Sequence, residues 1–298
     1  MIYTVIKEGI GTCKARIGAL CKLGGVSRAG YYRFLRRKPK PDRDALLRDH
    51  IQRICLAFTS YGYRPVTKEL HRMGFQVNHK RVLRLMREDD LLCTRKKGYV
   101  ATTNSAHGFP VYPNLAGEMT LTGINQLWCS DITYIRLEHA FVYLAVVLDA
   151  YSRRVVGWAI SKRIDTALTL DALRMALRKR SVRPGLVHHS DRGVQYAAKD
   201  YVALLRKHGI RISMSRRGNP YDNAQCERFM RTIKYEEVLI NEYADLAHAQ
   251  ANIQRFIEQV YNKKRLHSAL GYRPPAEFER LLQHQNECTL IDTEIVSA

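Results

Sequence analysis

The 298-residue chain lacks any useful pairing of its cysteines, which stand at 13, 21, 55, 93, 129, 226 and 288 with no C-x-x-C among them. An odd, scattered set of this kind excludes a zinc ribbon and a disulfide framework, and fits a reducing cytoplasm. No run of 18 apolar residues occurs, and the first residues lack a charged-then-apolar leader, so neither a membrane partner nor export is expected. Internal repeats and low-complexity tracts are absent as well. Acid is scarce: 28 Asp and Glu face 49 Lys and Arg, a formal charge of +21. Such a chain attracts polyanions, of which nucleic acid is the commonest, although charge alone leaves a ribosomal or membrane-surface protein open. What the chain does have is 46% hydrophobic residues, enough to bury a sizeable core and to set disorder aside.

The charge is unevenly spread. Residues 1–100 hold 23 basic and 8 acidic side chains, which marks the first third as the main phosphate-binding part. Within it, ARIGALCKLGGVSRAGYYRFLRR (15–37) reads as helix, glycine turn, helix, followed by a basic, proline-bearing break. A second helical unit spans residues 44–93: DALLRDHIQRICLAF, then VTKELHRMG closing at Gly74, then NHKRVLRLMRE opening at the N-cap Asn78. On that last helix Lys80, Arg84 and Arg87 share one face while Val82, Leu85 and Met86 can face a core. The basic face is either a solvated helix surface or a DNA contact; the turn chemistry and charge asymmetry favour DNA.

Residues 94–125, rich in Thr, Asn, Gly and Pro, read as a linker, and a catalytic core is expected over 126–282 with a tail over 283–298. QLWCSDITYIRL, FVYLAVVLDAYS and RVVGWAIS predict three consecutive antiparallel strands. A helix, the strand GLVHHSD, a helix, the strand IRISMS and a long helix from about Asn223 follow. This is an α/β layered domain with a mixed five-stranded sheet, preceded by small all-α helix-turn-helix units.

Three acids fall at telling places. Asp131 lies in the first strand, Asp191 closes the fourth, and Glu227 sits one turn into the helix after the fifth. If the first and fourth strands are neighbours, the aspartates enter one cleft and the helix brings Glu227 to its rim. Such a cluster repels itself unless cations fill it, and its hard oxygens suit Mg²⁺ or Mn²⁺, two ions serving displacement at phosphorus.

Residues 192–226 separate Asp191 from Glu227, a spacing that resembles the D,D(35)E pattern of transposases and retroviral integrases. HSDRGVQY, NAQCERFMRTIKYE and YNKKRLHSALGYRPPAEF resemble blocks of bacterial insertion-sequence transposases of the "insertion sequence three" family, downstream-frame type. VSRAGYYRFLRR, YGYRPVTKEL, VNHKRVLRLMRE, TTNSAHGFPVYPNL and NQLWCSDITYI extend the resemblance over residues 15–280. It implies a ribonuclease H-like fold, catalysis and metal ligation by Asp131, Asp191 and Glu227, and transfer of DNA strands through a free 3′ hydroxyl. It further implies double-stranded DNA partners (terminal inverted repeats and target), a homo-oligomer on DNA in a nucleoid setting, and an upstream-frame partner or fusion. Arg228 and Met230 depart from the Ser and Phe common beside the glutamate.

Other residues carry alternatives. Arg231 and Lys234 share the face of Glu227 at i+4 and i+7, and with Arg228 are expected to grip DNA phosphates; the alternative is a salt-bridged surface. Asn223 reads as a helix cap and Tyr196 as either a base-stacking or a core residue. His188 and His189 are expected to be hydrogen-bonded strand histidines rather than ligands, and Asp149 a structural turn acid. YNKKRLHSALGY, with Arg265 and His267, either contacts DNA or docks the last helix. A DNA transposase is the expected function; the alternative is a non-cutting DNA-binding regulator derived from one.

Overall fold

The computed structural model describes residues 2–13, 16–36, 43–93, 110–216 and 220–296. The basic break at 37–42 and residues 94–109 of the expected linker lie outside them. Contacts divide the chain into Met1–Asp49 and His50–Ala298. The first unit holds α1 (Ile2–Cys13), α2 (Ile17–Leu23) and α3 (Arg28–Arg36). Between α2 and α3, Gly25 takes φ +64, a value only glycine adopts without strain, and Val26 N–H bonds back to Cys21 O at 2.9 Å. Ile6, Cys21 and Tyr31 bury together. Helix α1 is not foreshadowed by its sequence, since IYTVIKEGIGTC carries β-branched residues and two glycines of low helix propensity.

After α4 (Ala45–Ala57) come α5 (Tyr63–Arg72) and α6 (His79–Glu88). Asn78 caps α6 as expected, its Oδ1 accepting from Lys80 N–H at 2.8 Å. Val82, Leu85 and Met86 are fully buried, while Lys80, Arg84 and Arg87 stay exposed. The α5–α6 pair is tied to the far end of the chain: Tyr61 Oη accepts from Leu266 N–H at 2.6 Å, and Arg72 pairs with Glu277 at 2.7 Å.

The sheet is built from β1 (Leu127–Arg136), β2 (Phe141–Asp149), β3 (Val155–Ser161), β4 (Val187–Ser190) and β5 (Arg211–Met214), in the order β3-β2-β1-β4-β5. The first three strands run antiparallel; β4 and β5 run parallel to β1. This is a ribonuclease H-like arrangement. Between strands lie α7 (Thr166–Lys179), α8 (Val194–Ala197) and α9 (Lys199–Lys207); α10 (Ala224–Ile233), α11 (Leu246–Arg255) and α12 (Pro275–Val296) follow β5.

Strand alternation sorts the core to the two faces. Leu127, Cys129 and Ile135 of β1 pack with Phe229, Met230 and Ile233 of α10, whereas Trp128 packs with α7 and α9 through Leu173, Tyr201 and Leu205. Residues 110–125 lie against this core: Leu115, Met119 and Leu121 pack on it, and Leu115 N–H donates to Ser213 Oγ at 2.8 Å.

Close packing of α7 on β3 depends on Gly157. A Cβ there would stand 2.2 Å from Ala172 O and 2.9 Å from Ala176 Cβ, and the first of these is backbone that cannot swing aside. Gly157→Ala is expected to destabilise the core by about 1–3 kcal/mol or more. A urea midpoint equal to that of the parent would show that the helix can lift without penalty.

Candidate active site

β1 and β4 are neighbours, with Cys129 opposite His189. Two residues further along stand Asp131, which the period of two places on the sheet face that packs α10, and Asp191, just past the end of β4. Asp131 Oδ1 accepts from Ile132 N–H at 2.8 Å and Asp191 Oδ1 from Gly193 N–H at 3.0 Å, which fixes each carboxylate against its own backbone. Glu227 sits in the first turn of α10. Asn223 ties the start of that helix to the strand: its Nδ2 donates to Ser130 O at 3.2 Å, one residue before Asp131. It occupies the N-cap position of α10 but makes no side-chain cap bond: with Nδ2 turned to β1, the Oδ1 that would accept the cap bond is left buried without a partner.

Electrostatics join the three acids. Asp131 is partly exposed yet densely surrounded, and burial pushes its carboxyl up to about 8, with repulsion from Asp191 and then Glu227 adding to the rise. At half-buried Glu227 burial alone registers as an upward shift, as expected where solvent screens the more open partner. Lys234 enters from the same helix face: its Nζ lies 4.6 Å from the Tyr134 ring centroid, and its attraction to Asp131 opposes the downward pull of burial. Among the described residues no group of three His, Cys, Asp or Glu side chains is close enough to ligate one ion as it stands. The acids are near enough to repel but too open to form a closed cage, and all their donors are hard oxygens. That donor set fits Mg²⁺ or Mn²⁺ with positions left for water and phosphate.

The strand histidines are hydrogen-bonded. His188 Nε2 lies 2.8 Å from Ser130 Oγ and 2.9 Å from Tyr201 Oη; the His189 nitrogens lie 2.8 Å from Ser213 Oγ and 3.0 Å from Ser215 Oγ. Tyr196 belongs to the core, with its ring edge-on to Tyr201. Burial lowers His188 to about 3 and His189 to about 4. Both rings are therefore neutral in the folded chain, and their contribution to stability, full above about 6.5, is lost as pH falls toward 3. The fall in urea midpoint between pH 7 and pH 5 should shrink in His188→Gln; an equal fall in both proteins would clear this histidine of the effect.

The remaining basic residues separate into different places. Arg231 is exposed on the Glu227 side of α10, whereas Arg228 faces a cleft on its other side. Arg265 is committed to Glu236 at 2.8 Å, which also bonds Ser60, so this arginine docks the α4–α6 unit. Sequence reasoning overlooked Arg153, Gln225 and the role of Asn223; only the positive φ of Arg153 marks it, and that is a property of the fold.

Comparison with known proteins agrees with this architecture. The Integrase core domain family matches residues 122–220 and a second Integrase core domain family residues 208–275, while an HTH-like domain family matches 41–99. The transposase InsF for insertion sequence IS3A of Escherichia coli is 36% identical over 269 residues, covering 88% of this chain and 93% of its own. The chain belongs to the insertion sequence IS3 family of transposases. The Insertion element IS600 uncharacterized 31 kDa protein of Shigella sonnei is 39% identical to this transposase over 87% of the chain and 97% of its own length. Among solved structures, the catalytic core domain of BIV integrase aligns with a TM-score of 0.40 and 20% identity, covering 55% of this transposase and 99% of that chain. The simian T-cell lymphotropic virus intasome aligns at 0.44 and 17%, covering 74% and 71%. No helix among the described residues of the transposase is long and apolar enough to cross a membrane.

Proposed function

We propose that Asp131, Asp191 and Glu227 are the catalytic acids of this transposase and together hold two divalent cations, Mg²⁺ or Mn²⁺. The observation that carries the reading is the adjacency of β1 and β4, which brings Asp131 and the end of β4 beside each other, coupled to the repulsion that Asp191 and Glu227 exert at Asp131. Two such ions would supply activation of the attacking oxygen and charge neutralisation at the leaving oxygen in an in-line displacement at phosphorus. The chain supplies the rest. Asp131 would hold from β1, Asp191 from just past the end of β4 and Glu227 from the rim, while Lys234 attracts Asp131 and would offer a cation beside the scissile phosphate. Exposed Arg231, with Lys80, Arg84 and Arg87 on α6, binds backbone phosphates that position the DNA without reading its sequence.

In this reading residues 1–43 and 44–93 bind DNA, 94–125 connect them to the 126–282 core, and 283–298 form a tail. The substrates are the element's terminal inverted repeats and a target duplex. The working form is a homo-oligomer on nucleoid DNA, with an upstream-frame protein as partner or fusion. The intact acid triad favours an enzyme over a non-cutting regulator. A supercoiled plasmid carrying the DNA that flanks the gene separates them: nicks at the element ends in Mg²⁺ are expected, and protection of those ends without a nick would make the chain a regulator.

A further inference from the structure

Gln225, Arg228, Phe229 and Thr232 follow one another at i, i+3, i+4 and i+7 on α10, roughly opposite the stripe of Glu227, Arg231 and Lys234. They form one wall of a cleft of about 290 Å³ whose other walls come from Arg64 at the start of α5, Arg153 in the β2–β3 turn, and His267. Three features set this cleft apart. No carboxylate lines it. Arg265, which does, is neutralised by Glu236, but among the described residues neither Arg153 nor Arg228 has an ion-pair partner. Gln225 Oε1 and His267 Nε2 are buried there without a hydrogen-bond partner.

Arg153 is partly buried, and an unmatched cation so placed is costly unless an anion joins it. Arg153 is held at φ +60, an uncommon value for a side-chain-bearing residue, and burial and the neighbouring Arg228 both act against its charge. The one acid near it, Asp149, is occupied by the backbone N–H groups of Asn125, Tyr151 and Ser152. A guanidinium cannot shed its proton, so the strain is relieved only by a bound anion.

The geometry points to this cleft as a binding site for a backbone phosphodiester of DNA, held by Arg153 and Arg228 with Arg64 at the mouth, on the far side of α10 from the catalytic acids. It rests on the DNA reading above and adds a second contact line to it. The cleft lies between the α4–α6 unit and the catalytic sheet, so a strand anchored there is gripped by both. The helix that carries Glu227 then has phosphate on each side, one to be cut and one to be held.

The test measures binding of a short blunt DNA duplex by the full chain in chelator across a range of salt. It compares the parent with Arg228→Gln, an exposed position that leaves the fold intact, and with the Arg153→Gln, Arg228→Gln double variant. Each lost phosphate contact should lower the salt slope by about 1 and weaken affinity about tenfold at moderate salt. The low-salt melting temperature without DNA should hold or rise, because a repulsion has been removed. A slope unchanged in both variants overturns the site. A melting temperature that falls while the slope stays constant also overturns it, leaving the arginines structural. Stabilisation of the parent by inorganic phosphate with no change of DNA slope in the variants makes the cleft a free-anion site only and overturns the DNA assignment. A parent that fails to bind the duplex at all overturns the DNA reading itself, a result distinguishable from the others.

Discussion

Asp131→Asn, Asp191→Asn and Glu227→Gln are each expected to lower strand cleavage and joining by at least about a thousandfold while leaving DNA binding within a few-fold of the parent. Each amide keeps the shape of its acid and removes the charge that two divalent ions require. Binding survives because it rests on lysine and arginine contacts elsewhere. A second signature accompanies the loss at Asp131. Its carboxyl is raised to about 8, so without metal its ionisation works against the fold. The chain loses that stability as pH climbs from about 4 through 8. In chelator at pH 8, Asp131→Asn should therefore melt above the parent, and the difference should vanish near pH 4. This trend runs opposite to that of His188 and His189, which penalise acid, so the parent's pH profile is a compromise that the single variants separate. Parental joining rates in any of the three amide variants would remove that residue from the site.

Asp149→Ala is expected to do the reverse, unfolding the chain rather than silencing it. Asp149 is fully buried at the end of β2. Its Oδ1 accepts from Tyr151 N–H at 3.0 Å and Ser152 N–H at 2.9 Å, and its Oδ2 from Asn125 N–H at 2.7 Å. Ser152 Oγ passes the network to Glu279 at 2.6 Å, which also pairs with Arg154 at 2.5 Å and Arg180 at 2.6 Å. Truncation strands backbone donors and loosens a buried set of charges, a loss of about 3–5 kcal/mol. Against a typical total of about 5–15 kcal/mol that is enough to depopulate the fold at growth temperature. Asp149→Asn keeps the Oδ1 acceptor and should fall between the two, with joining activity per folded molecule unchanged. Loss of joining in a fully folded Asp149→Asn protein would instead make this acid part of the chemistry.

The contrast between these two aspartates shows where sequence carries information and where it stops. Both stand on strands in similar β-rich runs. The 35-residue spacing and surrounding blocks pick out Asp131 with Asp191 and Glu227. The Asn78 cap and the buried row Val82, Leu85 and Met86 are equally legible, because each follows from local periodicity or local turn chemistry, whereas the adjacency of β1 and β4 stands in the sequence only as a condition. Contacts between residues distant in sequence are not legible there. Asn223 reads as a cap and instead clasps Ser130, ninety-three residues away. Arg265 has two readings, DNA contact or docking of the last helix, and its pairing with Glu236 gives it a third role. Arg228 looks like a companion of Glu227 from its neighbouring number, but one residue on a helix turns it by about 100° into a different cleft. α1 was invisible for a different reason: its glycines and β-branched residues argue against a helix, and packing with Cys21 and Tyr31 overrides them.

The most direct test of the catalytic site is calorimetric titration of Mn²⁺ into the full chain bound to DNA bearing the element's end. The parent should bind two ions per active site, and that binding should be lost or markedly weakened in Asp131→Asn at unchanged DNA occupancy. Mn²⁺ binding of equal stoichiometry and affinity in parent and variant would contradict that site assignment.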